Sequence, residues 1–362
     1  MADSLLKLIS ISIFISVFAI QAAGESDECG AETGSCINKS KALPLKIIAI
    51  VAIIVTSLIG VSVPLLTRNI SAFNPNGSVF AILKAFASGI ILGTGFMHVL
   101  PDSFDMLSSE CLEENPWHEF PFPGFVAMVS AIVTLAVDSM ATSYYSSKGK
   151  TGVTPKDGAN ADGVVKHDYE MQAVGDFHGH HGHSHAHGHH ALASTDQVGE
   201  AQLLRYRIIA MVLELGIIVH SVVIGLSLGA SNNVCSIKSL VAALCFHQMF
   251  EGMGLGGSIL QAEYKLMKRL VMAFFFSATT PFGIALGIAL SKTYRENSPN
   301  ALITVGLLNA SSAGLLIYMA LVDLLAVDFM GPKLQNNFKL LIKCTFAVLL
   351  GAGGMSILAK WA

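Results

Sequence analysis

The sequence predicts an all-α integral membrane protein, with eight transmembrane helices in an inverted-repeat 3+2+3 bundle. Apolar residues make up 52% of the 362 residues and only 13% are charged, against roughly 25% charged in soluble domains. Eight apolar runs are long enough, or nearly so, to cross a hydrocarbon core of about 30 Å as helices. Strands are excluded because open sheet edges are unstable in lipid. The runs lie at 45–67, 79–100, 121–143, 207–229, 237–259, 270–291, 301–326 and 338–358.

Residues 1–24 are predicted to form a removable signal peptide. Lys7 supplies a positive start, an apolar stretch follows at 8–20, and three small residues at 22–24 offer a cleavage site. The alternative is an additional, uncleaved membrane helix. We favour the signal peptide because the apolar stretch is short and a polar stretch follows it. Residues 25–44 are then an extracellular N-terminal segment.

The six cysteines are too few and too scattered for a disulfide scaffold. If the N-terminal segment is extracellular, Cys29 and Cys36 are candidates to pair with each other. Cys245 and Cys344 lie inside apolar runs and are expected to be packed core thiols.

The distribution of Lys and Arg predicts the orientation. Residues 45–143 hold helices 1–3, residues 144–206 form a long loop, and residues 207–362 hold helices 4–8. With the N-terminus outside, twelve Lys and Arg residues flank the helices on the inner side and seven on the outer side, which agrees with the positive-inside rule. We therefore expect a multi-pass protein of the plasma membrane with both termini extracellular. No basic stripe suggests a nucleic-acid partner.

The loop 144–206 is predicted to be cytosolic and disordered because it has no apolar period. Its His-rich tract is expected to bind Zn or Fe weakly, as a metal sensor or buffer; the alternative is an inert solvated linker. Lys148 and Lys166 flank the tract and are candidate modification sites, and the loop is a candidate target of ubiquitination or phosphorylation machinery. The histidines concerned are His178, His180, His181, His183, His185 and His187.

An internal repeat is indicated by two similar stretches. Residues 88–92 of the second run resemble residues 313–317 of the seventh, and acidic residues follow both. The two runs cross the membrane in opposite directions, which suits an inverted repeat with helices 4 and 5 at its centre. Glycine pairs such as Gly225-x-x-x-Gly229 fit close helix contact. We favour packing inside one bundle over a dedicated dimer face, and a homodimer stays open.

Polar residues at mid-membrane concentrate on the fourth and fifth runs. His247 and Glu251 are four residues apart and therefore share a helix face, with Gln248 beside them. On the fourth run, His220 is flanked by Ser221. At 1.5 Å per residue, His220 and Glu251 each lie roughly 20 Å from an end of their runs, so both reach the bilayer midplane.

Imidazole, carboxylate and amide ligands suit Zn, Fe(II), Mn, Co or Ni, whereas Cu(I) prefers thiolate and thioether. A buried acid in the membrane is expensive unless it has a partner, and a cation would supply the countercharge. The alternative is that the two histidines are hydrogen-bonded packing residues. The matching depth of three such groups favours a metal site.

An entrance is predicted at the outer end of the second run. His98 and Asp102 are four residues apart and Asp105 follows one turn later, with Pro101 expected to end the helix. These groups would collect cations from outside. The alternative is an ordinary solvated helix end.

Acids on the inner halves of other runs are candidates for an exit path. Asp138 lies on the third run and Glu214 on the fourth. The alternative is that each pairs with a Lys or Arg at the cytosolic face. Asp323, deep in the seventh run, has no assigned role.

Three stretches resemble the ZIP family of zinc- and iron-regulated transporter-like proteins. They are SGIILGTGFMHVLPD at 88–102, HSVVIG at 220–225 and HQMFEG at 247–252. The resemblance covers residues 43–362, includes the His-rich loop, and is closest to the plant iron-regulated root transporters.

The resemblance implies eight spans, both termini outside, and an inverted repeat around spans four and five. Family members with a two-metal centre carry a ligand, often Glu, one turn after the His of span four. Here that position is Ile224, so we expect one principal site. The implied transport ligands are His220, His247, Gln248 and Glu251, with Asp102, Asp105 and Asp138 along the path.

The resemblance also implies import of divalent transition-metal cations into the cytosol by alternating access. Fe(II) and Zn(II) are the expected principal substrates, with Mn(II), Cd(II) and Co(II) as broader ones. Neither a resident cofactor nor an enzymatic activity is expected. A cation-diffusion-facilitator exporter is the main alternative, and an intramembrane metalloprotease is disfavoured because HQMFE lacks the second His of a His-Glu-x-x-His motif.

Overall fold

The computed structural model describes residues 36–67, 77–150, 191–291 and 298–360. Within these ranges the chain is almost entirely helical, and an isolated bridge between Ile37 and Asn233 is the one strand-like pairing. Two short helical turns lie in the connections. The long helices are α1 (Lys39–Leu66), α2 (Ser78–Leu107), α3 (Phe122–Lys150), α4 (Ala191–Ala230), α5 (Val234–Gln261), α6 (Leu266–Leu290), α7 (Pro299–Phe329) and α8 (Phe338–Ala359).

The all-α membrane class is confirmed, but the count of eight spans is not. Seven of the described helices are long and apolar enough to cross a membrane, judged by length and composition. The helix outside that set is α5, which has 28 residues. His247, Gln248 and Glu251 lower its hydropathy. The helix that carries His247, Gln248 and Glu251 is therefore the one that length and composition do not identify as a span.

Two helices contain a π-helical segment, and these segments correspond in the repeat. In α2 the segment is Gly95–Val99, and in α7 it is Met319–Ala326.

The prediction that Pro101 ends the second helix is wrong, since α2 continues to Leu107. Pro101 occupies the first turn of the α-helical part after the π-helical segment, where its missing N–H is tolerated.

Both ends of the predicted loop 144–206 are helical. Helix α3 extends to Lys150 and α4 begins at Ala191, so the prediction of disorder is wrong for 144–150 and 191–206. Each helix continues beyond its apolar run, where hydrophobic periodicity gives no signal. The six candidate histidines of the loop and the predicted signal peptide lie outside the described residues.

Close helix pairs define the bundle. Helix α1 packs on α5 and α6 on α4; α2 packs on α8 and α7 on α3. In the 3+2+3 repeat, the α1–α5 pair corresponds to the α6–α4 pair, and the α2–α8 pair corresponds to the α7–α3 pair. A Cβ added at Gly89 would overlap the carbonyl oxygen of Val348 in α8, and one at Gly314 would overlap that of Ala127 in α3. Small residues thus let the backbones touch at corresponding positions.

One disulfide marks a face of the bundle. Cys36, just before α1, is bonded to Cys235 at the start of α5. The expected pairing of Cys36 with Cys29 is therefore wrong. The partner of Cys36 is 199 residues away in the sequence, and only the helix packing brings the two cysteines together. Cys111, in the α2–α3 connection, is also disulfide-bonded. We call the surface that carries these cysteines the disulfide face, and the surface across the bundle the opposite face.

Candidate metal site

Three side chains converge between α4 and α5. His220 of α4 and His247 and Glu251 of α5 each offer a ligand atom, and these atoms lie within 4.8 Å of one another. All three residues are at most 1% exposed. The structure therefore places together the three groups that the sequence predicted at one depth.

Local geometry explains this convergence. Helices α4 and α5 are antiparallel neighbours joined by residues 231–233, so the middle of one lies beside the middle of the other. His247 and Glu251 lie one turn apart on the same face of α5. The ring centroids of His220 and His247 are 5.9 Å apart. The other faces of α4 and α5 are taken by glycine contacts with α6 and α1.

The chemistry of these groups fits a divalent cation. Both ring nitrogens of His220, both of His247 and both carboxylate oxygens of Glu251 are buried and make no hydrogen bond to a described residue. A buried polar group without a partner costs about 1–3 kcal/mol, and more when charged. Two imidazoles and a carboxylate are ligands that Zn, Fe(II) and Mn accept. A cation at this position would satisfy the unpartnered ligand atoms and neutralise the carboxylate.

Gln248 and Ser221 are the other two residues predicted for the site. Both are fully buried, and their side-chain polar atoms likewise make no hydrogen bond to a described residue. Each is next in sequence to a candidate ligand, Gln248 to His247 and Ser221 to His220. The group of ligand atoms that lie within 4.8 Å of one another is made up of His220, His247 and Glu251. The role of Gln248 and Ser221 as ligands stays a prediction.

His98 lies much closer to these ligands than a solvated helix end would. It is 4% exposed, and its ring centroid is 6.3 Å from that of His247. Its Nδ1 is 3.6 Å from Oδ2 of Asp102, whose side chain is 42% exposed. Asp105 is exposed and lies farther along α2. His98 and Asp102 thus connect the surface to the buried ligands.

A cavity of about 80 Å³ joins these two regions. It is large enough for several water molecules. Asp102, His98 and His220 line it, together with Ile224 and Asn309. His220 lies near the midplane, and the other four residues lie between it and the disulfide face. The cavity thus lies between Asp102, whose side chain is partly exposed, and His220 of the ligand group.

The predicted exit residues are not part of the ligand group. Tyr318 of α7 donates its hydroxyl to Oδ2 of Asp138 at 3.3 Å. Glu214 is 1% exposed and Asp323 is 2% exposed, and Oδ2 of Asp323 makes no hydrogen bond to a described residue. These acids lie in the half of the bundle toward the opposite face.

Sequence reasoning missed several polar groups. Ser57 of α1 and Thr280 of α6 are buried hydroxyls at corresponding positions of the repeat, without hydrogen bonds to described residues. Asn309 lines the cavity. Lys84 is buried and bonded to Asp328. The sequence could have indicated Lys84, because it is a single cation inside an apolar run. For Ser57, Thr280 and Asn309, the weak internal repeat was the available indication.

Comparison with known proteins gives one consistent result. A family model described as ZIP Zinc transporter matches residues 43–359. Fe(2+) transport protein 1 of Arabidopsis thaliana is 63% identical over 361 residues, 99% of this chain and 98% of that protein. Probable zinc transporter 10 of Arabidopsis thaliana is 60% identical over 360 residues, 98% and 97% of the two chains. Fe(2+) transport protein 1 of Oryza sativa subsp. japonica is 56% identical over 355 residues, 98% and 93%.

Proposed function

The chain belongs to the ZIP zinc transporter family, and from this membership and the buried ligand group we propose that it imports divalent transition-metal cations into the cytosol. Fe(II) and Zn(II) are the proposed principal substrates, since its relatives are named as Fe(2+) and zinc transporters. Mn(II), Cd(II) and Co(II) are broader candidates because the same ligands accept them. Family membership does not favour the exporter alternative.

The observation that carries the proposal is the meeting of His220, His247 and Glu251 inside a membrane bundle. A site this buried is costly to build in lipid. Transport offers a reason for it, because a carrier must replace the hydration shell of its ion at mid-membrane. Asp102 and His98 then act as the entrance, collecting ions and passing them along the cavity. Asp138 and Glu214 remain candidates for the exit.

The disulfide face is proposed to be extracellular. Disulfides form and persist in oxidising compartments, whereas the cytosol keeps thiols reduced. Lys265 of the α5–α6 connection and Lys333 of the α7–α8 connection lie on the opposite face, and Lys268 and Arg269 lie in the first turn of α6 on the same side, as expected for a cytosolic surface. We therefore place the protein in the plasma membrane with both termini outside and the His-rich loop in the cytosol, where it would sense metal and receive regulatory modification.

Alternating access is proposed to occur between two groups of helices. Because α1 packs on α5 and α6 packs on α4, these four helices are expected to carry the ligands as one body. Helices α2, α3, α7 and α8 form the surrounding body. Entry of a divalent ion down the membrane potential supplies about 4.6 kcal/mol per 100 mV, so the potential suffices as a driving force.

Metal uptake tests the proposal. In cells lacking their own iron and zinc importers, the protein should raise cellular Fe and Zn, and each metal should compete with the other. Glu251→Gln and His247→Ala should reduce uptake to background with normal surface expression. Glu263→Gln, at an exposed carboxylate near the end of the same helix, is the matched control and should transport normally. Uptake by either ligand variant at the unsubstituted rate would refute the site, and loss of cellular metal on expression would indicate an exporter.

Orientation has its own test. After reduction, a membrane-impermeant thiol reagent added outside intact cells should label Cys36 and Cys235. Labelling only after permeabilisation would place the disulfide face in the cytosol.

A further inference from the structure

Lys84 is a buried cation that joins three helices near the opposite face. It lies in the first half of α2 and is 6% exposed. Its Nζ donates to Oε1 of Gln261, at the end of α5, at 2.9 Å. The same Nζ is 3.2 Å from Oδ1 and 3.0 Å from Oδ2 of Asp328 at the end of α7. An ammonium group in this setting requires such partners, because a buried charge without a partner is strongly unfavourable.

The internal repeat provides a counterpart for Lys84. Gly89 of α2 and Gly314 of α7 make corresponding backbone contacts with α8 and α3. Lys84 is five residues before Gly89, and Asn309 is five residues before Gly314. Asn309 is therefore the residue that occupies, toward the disulfide face, the place that Lys84 occupies toward the opposite face.

These two corresponding positions line cavities that differ in size and in the residues they reach. Asn309 lines the cavity of about 80 Å³ that also reaches His220 and Asp102. Lys84 lines a cavity of only about 20 Å³, whose walls include Val63 and Met253 but none of the candidate ligands. The cavity on the side of Asn309 thus reaches a candidate ligand, whereas the cavity beside Lys84, where Lys84 joins α5 to α7, reaches none.

We infer that Lys84, Asp328 and Gln261 form the inner gate of the transport path. The inference rests on the proposed import function. While the ligands face the outside, Lys84 holds the end of α5, through Gln261, against α2 and α7. The ion can leave toward the cytosol only after Gln261 separates from Lys84, since Gln261 belongs to the ligand-bearing body and Lys84 to the surrounding one. Lys84 also places a positive charge on the closed path, where it opposes leakage of cations.

Accessibility of an engineered thiol tests the gate directly. Met253→Cys places a thiol beside Lys84 in the small inner cavity, in a chain that also carries Cys245→Ala. The rate of its modification is measured in inside-out vesicles with a membrane-impermeant reagent. Lys84→Met should raise this rate roughly tenfold, since it removes hydrogen bonds from a charged donor and shifts the population toward the open inner side. Lys339→Met, at an exposed cation on the same face, should leave the rate unchanged.

A second variant guards against a folding failure. Lys84→Met leaves Asp328 without its cation, whereas Lys84→Met combined with Asp328→Leu removes both charges and is expected to fold, because replacing a buried pair by apolar residues is often neutral. The double variant should also be modified faster. An unchanged rate in the double variant would overturn the gate. Absence of metal uptake by the unsubstituted protein would instead overturn the proposed function, and the labelling experiment does not depend on that outcome.

Discussion

The half of the bundle toward the disulfide face and the half toward the opposite face share one packing scheme but differ in their polar residues. Glycines at corresponding positions set the same helix contacts in both halves, and both halves contain a π-helical segment. Toward the disulfide face, a cavity leads from Asp102 to His220. Toward the opposite face, Lys84 is bonded to Asp328, and the small cavity that it lines reaches none of the candidate ligands.

The comparison separates what the repeat determines from what it leaves free. The backbone contacts that glycines make between helices are the same in the two halves of the repeat, and we call this set of helix contacts the symmetric frame. The polar positions differ: Ile224 corresponds to Glu251, each lying four residues after the histidine of its helix, and Asn309 corresponds to Lys84. A symmetric frame allows two access states, and asymmetric side chains decide which of them this structure adopts and how many carboxylates meet the ion.

Substitution of the glycines at the helix contacts should have the largest effect, and that effect is on stability. Gly89→Ala and Gly314→Ala should each destabilise the protein by about 1–3 kcal/mol, because the new methyl group forces a helix pair apart. The two losses should be similar, since both Cβ atoms would meet a backbone carbonyl. Gly353→Ala, in α8, is the matched control because no atom lies within 4 Å of its Cβ position. Thermal unfolding in detergent measures all three, and a loss at only one of the two sites would contradict the equivalence of the halves.

The missing carboxylate at Ile224 provides the next test. Ile224→Glu would give α4 the same His-plus-Glu pair as α5, so the number of tightly bound Zn ions per chain should rise from roughly one to roughly two. Metal content of the purified protein after dialysis measures this number. Ile224→Gln is the control, as it adds a polar group of the same size without a charge. A single bound ion in the Glu variant would show that Ile224 is not placed to complete a second site.

Much of this arrangement was predictable from local sequence patterns. The four-residue spacing of His247 and Glu251 fixes their common face, and the matching depth of His220 follows from helix length alone. The membrane class follows from composition. Helix α5 was located correctly even though its polar residues lower its hydropathy.

What escaped prediction depends on tertiary contacts. Cys36 pairs with Cys235, and no spacing rule links residues on different helices. The π-helical segment at Gly95–Val99 changes the rotation of the rest of α2, so the approach of His98 to His247 does not follow from α-helical geometry. The same segment explains why Pro101 does not end the helix. Lys84 reads as an isolated cation until α5 and α7 are placed beside it.

The charged entrance toward the disulfide face should show a moderate effect. Asp102→Asn should raise the apparent KM for metal uptake by roughly threefold with little change in maximal rate, because a carboxylate at the mouth raises the local cation concentration. The effect should shrink at high salt, since the Asp102 side chain is 42% exposed and charge attraction is screened. Asp105→Asn is a comparison at an exposed carboxylate that makes no contact with His98. An equal or larger effect at Asp105 would argue against the His98–Asp102 path.

The smallest effect is expected toward the opposite face, at the bond between Tyr318 and Asp138. Tyr318→Phe removes the hydroxyl donor to Oδ2 of Asp138, and a net hydrogen bond contributes about 0.5–1.5 kcal/mol. If this bond only positions Asp138 beside the exit, only part of that free energy affects the transport step, and uptake should fall by less than about threefold. Asp138→Asn should reduce uptake further, because it removes the charge as well. The double variant should be no worse than Asp138→Asn alone, since both substitutions break one interaction. Additive losses would mean that Tyr318 acts on the exit independently of Asp138, and the pairing seen in the structure would then be incidental to transport.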